Sequence, residues 1–271
     1  MTDKRQFIDF LVQQNVLKFG RFTLNSGRIS PYFFNLGSVA TGGAYAELGS
    51  AYAEAVLQSG VEFDLLFGPA YKGIPIAVAT AMALAERGVD VGVAYNRKEA
   101  KDHGEGGLLV GAPVSGRVLM LDDVLTSGKA IRGAADLIRS EGAEIAGVVI
   151  AMDRAEVMAG SEETAVSDLR GELGAPVISI AHVSDVLTYL DQAPAQSEAL
   201  SAMRAYVDLV AREVPDFLLI APEEEDASDD QLAKVKNDLS ACGINEADAP
   251  PPPPPARDVF EAARAGAASL K

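Results

Sequence analysis

The chain has 271 residues, 48% of them hydrophobic with 25 glycines and few aromatics, which suits an α/β protein of one large domain with or without an appendage. A formal charge of −16 argues against general nucleic-acid binding, and the single cysteine, Cys242, allows neither an internal disulfide nor a cysteine-based zinc site. No apolar run reaches the ~18–20 residues of a membrane span, and residues 1–10 lack the apolar centre of a secretory signal, so a cytoplasmic protein is expected.

The spacing of Phe7, Ile8, Phe10, Leu11 and Leu17 predicts a helix over 3–17 with Asp3 as its cap. Residues 22–34 read as two extended segments around a Ser26-Gly27 turn. Thr41 opens a long helix that ends near Gln58. From Asp64 the pattern becomes strand, turn, helix, strand. Asp64–Phe67 is a short buried strand, 68–73 the turn after it, 74–87 an alanine-rich helix, and Val91–Tyr95 the next strand. A strand Arg117–Asp122, a helix over 129–141 and a strand Glu144–Met152 continue the series. Pro176–Ile180 reads as an edge strand, and 183–191 and 197–213 as helices. This alternation predicts an α/β fold, a parallel sheet with helices on both faces, in which ligands sit beyond the carboxyl ends of the strands.

Two stretches depart from the alternation. Residues 96–107 are charged and glycine-rich without apolar period, and a mobile excursion is expected there. Residues 214–271 hold 12 Asp or Glu against 5 Lys or Arg, a net of −7 that leaves −9 for the rest. This part includes Glu223–Asp226 and six prolines, Pro250 to Pro255. The expected division is therefore a folded domain at 1–214 and an acidic, proline-rich extension at 215–271. The extension is expected to be largely disordered, with short helices at most at 229–241 and 257–268.

The segment Val118–Ala130 carries the sharpest chemistry. Four apolar residues end in adjacent carboxylates, Asp122 and Asp123. Val124 and Leu125 lead to a small turn, Thr126-Ser127-Gly128, and Lys129 and Ala130 begin a helix. Small residues let backbone N–H groups face an anion, and the helix N-terminus favours negative charge. Two acids beside such a phosphate cradle can accept hydrogen bonds from sugar hydroxyls, which reads as a site for ribose 5-phosphate. The Walker spacing is absent, although Lys129 follows the glycine. An ordinary strand-to-helix turn would use similar residues.

Other candidates have two readings each. Arg97, Lys98, Lys101 and His103 can neutralise a diphosphate, yet with Glu99, Asp102 and Glu105 among them they also suit a solvated loop. Tyr71-Lys72 sits between a strand and a helix start, where a lysine meets an anion or simply water. Phe33-Phe34 can hold a flat heterocycle or form a core pair. Arg154 follows a strand, and its planar fork suits a carboxylate, either a ligand's or a structural partner's. His182, between a strand and a helix, reads as structural.

Val118–Ala130 resembles the phosphoribosyl-pyrophosphate motif of the type I phosphoribosyltransferases. Ser26–Arg28, Ser30–Asn35, Phe63–Pro75 and Asn96–Gly107 resemble the orotate phosphoribosyltransferases, and the likeness runs from about Phe7 to about Val214. The resemblance implies a mostly parallel central sheet flanked by helices, with a small N-terminal hood. It implies transfer of the phosphoribosyl group of 5-phosphoribosyl 1-diphosphate (PRPP) to orotate, giving orotidine 5'-phosphate and diphosphate in de novo pyrimidine biosynthesis. Mg2+ would enter on the substrate, without a dedicated protein metal site. The enzyme would be a homodimer whose loop 97–107 closes over the neighbouring subunit's site, with no nucleic-acid or membrane partner.

Carried over by position, Lys101, Asp122 and Asp123 are the expected catalytic residues. Tyr71, Lys72, Arg97, Lys98, Lys101, His103 and the whole of Asp122–Ala130 are expected to bind PRPP. Phe33, Phe34, Thr126 and Arg154 are expected to bind orotate. The chain departs from the pattern at Asn25, where the family carries a lysine that helps bind PRPP, and in its tail beyond 214. Two other readings remain at this stage: a phosphoribosyltransferase for another base, and a catalytically silent PRPP-sensing regulator.

Overall fold

In a computed structural model of the chain, residues 4–23, 29–101, 107–125, 128–157, 163–193 and 197–210 are described. All lie in the first of the two units into which the chain divides, Met1–Ala221. Asp3, the Ser26-Gly27 turn and the extension 215–271 lie outside the described residues.

The elements run α1 (Lys4–Gln13), β1 (Leu17–Thr23), β2 (Ile29–Phe34), α2 (Gly42–Ser59), β3 (Leu65–Gly68), α3 (Gly73–Ala85), β4 (Gly92–Lys101) and β5 (Gly107–Gly111). They continue with β6 (Arg117–Val124), α4 (Lys129–Ser140), β7 (Glu144–Asp153), α5 (Ala165–Leu173), β8 (Val177–His182), α6 (Val183–Asp191) and α7 (Ser197–Val210). β1 and β2 form an antiparallel pair, the hood. The other strands form a six-stranded sheet in the order β5-β4-β3-β6-β7-β8, parallel throughout except for the β4–β5 pair.

Alternation along the central strands explains the layering. Leu119 and Leu121 of β6 join one apolar cluster with residues of α1, α2, α3 and α6, whereas Val118 and Met120 join a second with residues of α4 and α5. All four are fully buried, as expected of a strand covered on both faces. Truncating one of them, such as Leu119, removes about 2–5 kcal/mol from a fold only marginally stable overall.

Among the parallel strands the chain starts at β3, steps to β4 on one side, then returns to β6, β7 and β8 on the other. The direction of winding therefore reverses between β3 and β6. In such sheets the reversal opens a crevice at the strands' carboxyl ends, where ligands bind. Lys72 lies in the turn that leaves β3, and the Asp122-Asp123 pair lies near the carboxyl end of β6.

Three expectations need correction. The first helix stops at Gln13, since Asn15 takes a left-handed conformation (φ 56°) and Leu17 starts β1. Residues 96–101 belong to the outer half of β4, which pairs through Asn96 and Lys101, with an irregularity between them, to a strand, β5, that the pattern did not reveal. An edge hairpin has little core to face, and here the charges of outer β4 and the short glycine-bounded run of β5 leave no two-residue period. Helix α5, capped by the Thr164 side chain, also went unrecognised. Thr41 does cap α2, its side chain accepting from Ala44 N.

Candidate active site

Asp122 and Asp123 lie near the carboxyl end of β6, a strand buried along most of its length, and are themselves only 8% and 6% exposed. Successive strand residues face opposite ways, yet both carboxylates fold forward along the chain. Asp122 Oδ1 accepts from Asp123 N at 2.9 Å and Asp123 Oδ1 from Val124 N at 2.8 Å. The second oxygen of Asp123 accepts from Lys72 Nζ at 2.8 Å. The Tyr52 hydroxyl of α2 donates to the Asp122 carbonyl at 2.7 Å and fixes this strand end from below. Burial, with the nearby charges of Asp123 and Asp122, raises the Tyr52 pKa well above its ordinary value, so the hydroxyl keeps its proton.

Lys72 reaches Asp123 because the β3–α3 turn packs very closely. A Cβ on Gly68 would lie 2.3 Å from the Gly73 carbonyl oxygen, and one on Gly73 would lie 2.7 Å from that of Leu121. The Ala70–Tyr71 peptide is cis. Gly73→Ala is therefore expected to cost about 1–3 kcal/mol and to shift Lys72 off Asp123. Thermal unfolding and kcat/KM measured on one preparation check this, and no change in either would contradict it.

The charged ribbon lies beside this turn. Asn96 Oδ1 accepts from Ala70 N at 3.1 Å, joining β4 to the turn. Lys98 Nζ stands 5.0 Å over the Tyr71 ring, a cation–π contact. Arg97 Nη1 donates to the Gly107 carbonyl across the hairpin. A cavity of about 440 Å³ is bounded by Tyr71, Ile74 and residues 95–99.

Two helix ends at the same edge differ from the other capped ones. Side chains of Thr41, Thr164 and His182 cap α2, α5 and α6. The caps of α3 and α4, Lys72 and Gly128, supply no side-chain hydrogen bond. These two helices follow β3 and β6, the strands that flank the winding reversal. Uncapped N–H groups backed by the helix dipole suit a phosphate. Gly128 is left-handed (φ 69°), a conformation that glycine adopts without strain.

Beyond β7 lies a second group. Arg154 Nε donates to the Tyr32 hydroxyl at 3.0 Å and Nη2 to Glu156 Oε1 at 2.7 Å. Burial works against the Arg154 charge, but Tyr32 and Glu156 outweigh it and hold the guanidinium above its ordinary pKa. Burial also raises the Tyr32 hydroxyl, which therefore stays neutral and accepts from Nε. Met152 pairs in register with Val124, so Arg154 emerges beside the acidic strand end. Phe33 and Phe34 are neighbours on β2 and fall on opposite faces. Phe34 packs on the core, while Phe33 is exposed beside the Phe22 ring.

The structure thus brings Tyr71, Lys72, Arg97, Lys98, Asp122, Asp123 and Val124 to one edge. Leu125 is buried just behind, and Gly128, Lys129 and Ala130 begin α4. Arg154, Phe33 and Phe34 gather around the hood. His103, Thr126, Ser127 and Asn25 lie outside the described residues, as does the Lys101 side chain. His182 caps α6, with Asp185 completing a capping box. Tyr52, Asn96, Glu156 and Tyr206 also shape the site and were not singled out in the sequence. Only Glu156 left a signal, an opposite charge two residues from Arg154.

Residues 38–167 match the family model of the phosphoribosyl transferase domain. The orotate phosphoribosyltransferase of Salmonella arizonae is 55% identical over 204 residues, 75% of this chain and 95% of that protein. The chain belongs to the orotate phosphoribosyltransferase family. A crystal structure of the Francisella tularensis orotate phosphoribosyltransferase is 37% identical with a TM-score of 0.68, covering 75% of this chain and 98% of that one. Leishmania donovani UMP synthase is 26% identical with a TM-score of 0.60, covering 76% of this chain and 42% of that one. As an orotate phosphoribosyltransferase the protein moves the phosphoribosyl group of PRPP to orotate, giving orotidine 5'-phosphate and diphosphate. Its type I fold is that of these relatives.

Proposed function

We propose that this transfer takes place within residues 1–214, at the edge formed by the β3–α3 and β6–α4 turns. The observation that carries this reading is the Lys72–Asp123 pair, which sets a cation and the sugar-binding acids side by side at the winding reversal. Asp122 and Asp123 accept hydrogen bonds from the ribose hydroxyls, and backbone groups of Thr126–Ala130 hold the 5-phosphate at the start of α4. Lys72, Arg97, Lys98, Lys101 and His103 take the diphosphate, and Tyr71 supports this group through Lys98. Lys72 is half exposed, so its pair with Asp123 is worth only about 0–1 kcal/mol and opens readily when the diphosphate arrives. Phe33, Phe34, Thr126 and Arg154 hold orotate, with the Arg154 fork on its carboxylate.

The C1–diphosphate bond loosens first, and the base nitrogen attacks the cation-like sugar from the opposite face. Orotate is already an anion, so catalysis is mainly positioning and charge stabilisation. Mg2+ would enter on PRPP, held mainly by substrate oxygens and water, and the hard carboxylate oxygens of Asp122 and Asp123 are protein groups that suit it nearby. When bound, Mg2+ offsets the diphosphate charge. The working form is a cytoplasmic homodimer in which loop 97–107 of one subunit, carrying Arg97, Lys98, Lys101 and His103, completes the diphosphate site of its neighbour. In support of association, Val78 and Met82 of α3 are exposed apolar side chains, Met82 at 65%.

The test mixes protein, Mg2+ and PRPP with orotate, uracil or a purine base in parallel. Orotate absorbance falls and diphosphate appears only in the orotate arm. Turnover confined to a purine, or no diphosphate from any base, overturns the reading. Light scattering of the full chain checks the dimer.

A further inference from the structure

Arg154 is held by two direct partners before any substrate arrives, and one of them is held in turn by a third element. Its Nε and Nη2 are engaged by Tyr32 of the hood and by Glu156 of its own loop. The Glu156 oxygen that takes Nη2 also accepts from the Tyr206 hydroxyl of α7 at 3.0 Å. The Tyr206 and Tyr32 rings meet edge-on, with centroids 5.9 Å apart, and both side chains are buried. A guanidinium presents its five protons as fixed forks. Tyr32 and Glu156 fill the fork made by Nε and Nη2. Among the described residues nothing bonds to Nη1, which leaves the second fork open to an incoming carboxylate.

We propose that Glu156 and Tyr206 are positioning residues that aim this open fork at the carboxylate of the base, and so favour a carboxylated pyrimidine over the same ring without it. The inference rests on the assignment of Arg154 to the orotate carboxylate. Ordering a long arginine in advance takes its rotamer entropy out of the cost of binding. Tyr206 has a second effect. Glu156 is itself a carboxylate, and one free to turn would reach the open fork and compete with the substrate. The Tyr206 hydroxyl holds it on the closed edge. Helix α7 thereby reaches the base pocket without touching the base.

The experiment is steady-state kinetics on the full chain carrying Tyr206→Phe, Glu156→Gln, Arg154→Lys, or Tyr206→Phe with Arg154→Lys. Orotate is the substrate, and uracil serves as a carboxylate-free competitor. Tyr206→Phe and Glu156→Gln should each raise the orotate KM about 10- to 100-fold, the size of one hydrogen bond to a charged group. Their kcat and PRPP KM should move less than about threefold, with the uracil inhibition constant unchanged. The double variant should be no worse than Arg154→Lys alone, because both substitutions act through one guanidinium. If Arg154→Lys raises the orotate KM while the Tyr206 and Glu156 variants stay within about twofold of the parent, positioning is overturned and the Arg154 assignment survives. An unchanged orotate KM in Arg154→Lys sinks the assignment and the positioning with it. A fall in kcat with both KM values unchanged shows packing only, and overturns the proposal as well. If Tyr206→Phe does not fold, Glu156→Gln alone decides.

Discussion

Lys101→Ala is expected to lower kcat by about 10²–10³-fold, the usual cost of losing one preorganised charge partner in a transition state. The fold should be unaffected. Lys101 closes β4 and pairs with Gly107 of β5 at the outermost edge of the sheet, away from both apolar clusters. Negative charge grows on the diphosphate as its bond to C1 loosens, so a lysine that meets it there helps the transition state more than the bound substrate. The loss then falls on kcat rather than on the PRPP KM. Stopped assays of diphosphate release, paired with thermal unfolding, check the result. Near-normal turnover would refute the role of Lys101.

Much of this arrangement was legible in the sequence because its signals are local. Four apolar residues ending in Asp122-Asp123 and followed by a small-residue turn mark a central strand that delivers acids to a helix start, and β6 and α4 do this. Thr41 before an apolar-periodic run marks a cap, and it caps α2. Where the governing contacts are distant, the sequence was silent. Tyr206 meets Glu156 across fifty residues, and Asn96 meets Ala70 across twenty-six. No periodicity relates such positions. The β4–β5 hairpin was missed for another reason. The outer half of β4 is rich in charge and β5 is a three-residue apolar run between glycines, so neither shows an alternation to read. The readings of Phe33-Phe34 as a pair and of Lys72 as a turn lysine also needed coordinates. Strand geometry separates the two rings, and Lys72 turns out to be tethered to an acid.

The second large effect is expected at Asp123. Asp123→Asn keeps the side-chain shape but replaces one carboxylate oxygen with an N–H donor. Oδ1 accepts from Val124 N and Oδ2 from Lys72, and an amide can serve only one of these. If its oxygen stays on Val124 N, its NH2 group faces the Lys72 ammonium, donor against donor. The acceptor for a ribose hydroxyl and the tether for Lys72 are lost together. A fall of about 10²-fold in kcat/KM for PRPP is expected, equivalent to about 2.7 kcal/mol. Stability should move much less, because the ion pair it breaks has a half-exposed lysine and contributes about 1 kcal/mol or less. A purely structural acid would show the reverse, a lower melting temperature with kinetics intact. Measuring kcat/KM and thermal unfolding on the same preparation separates the two, and a stability loss without a kinetic one would remove Asp123 from the sugar site.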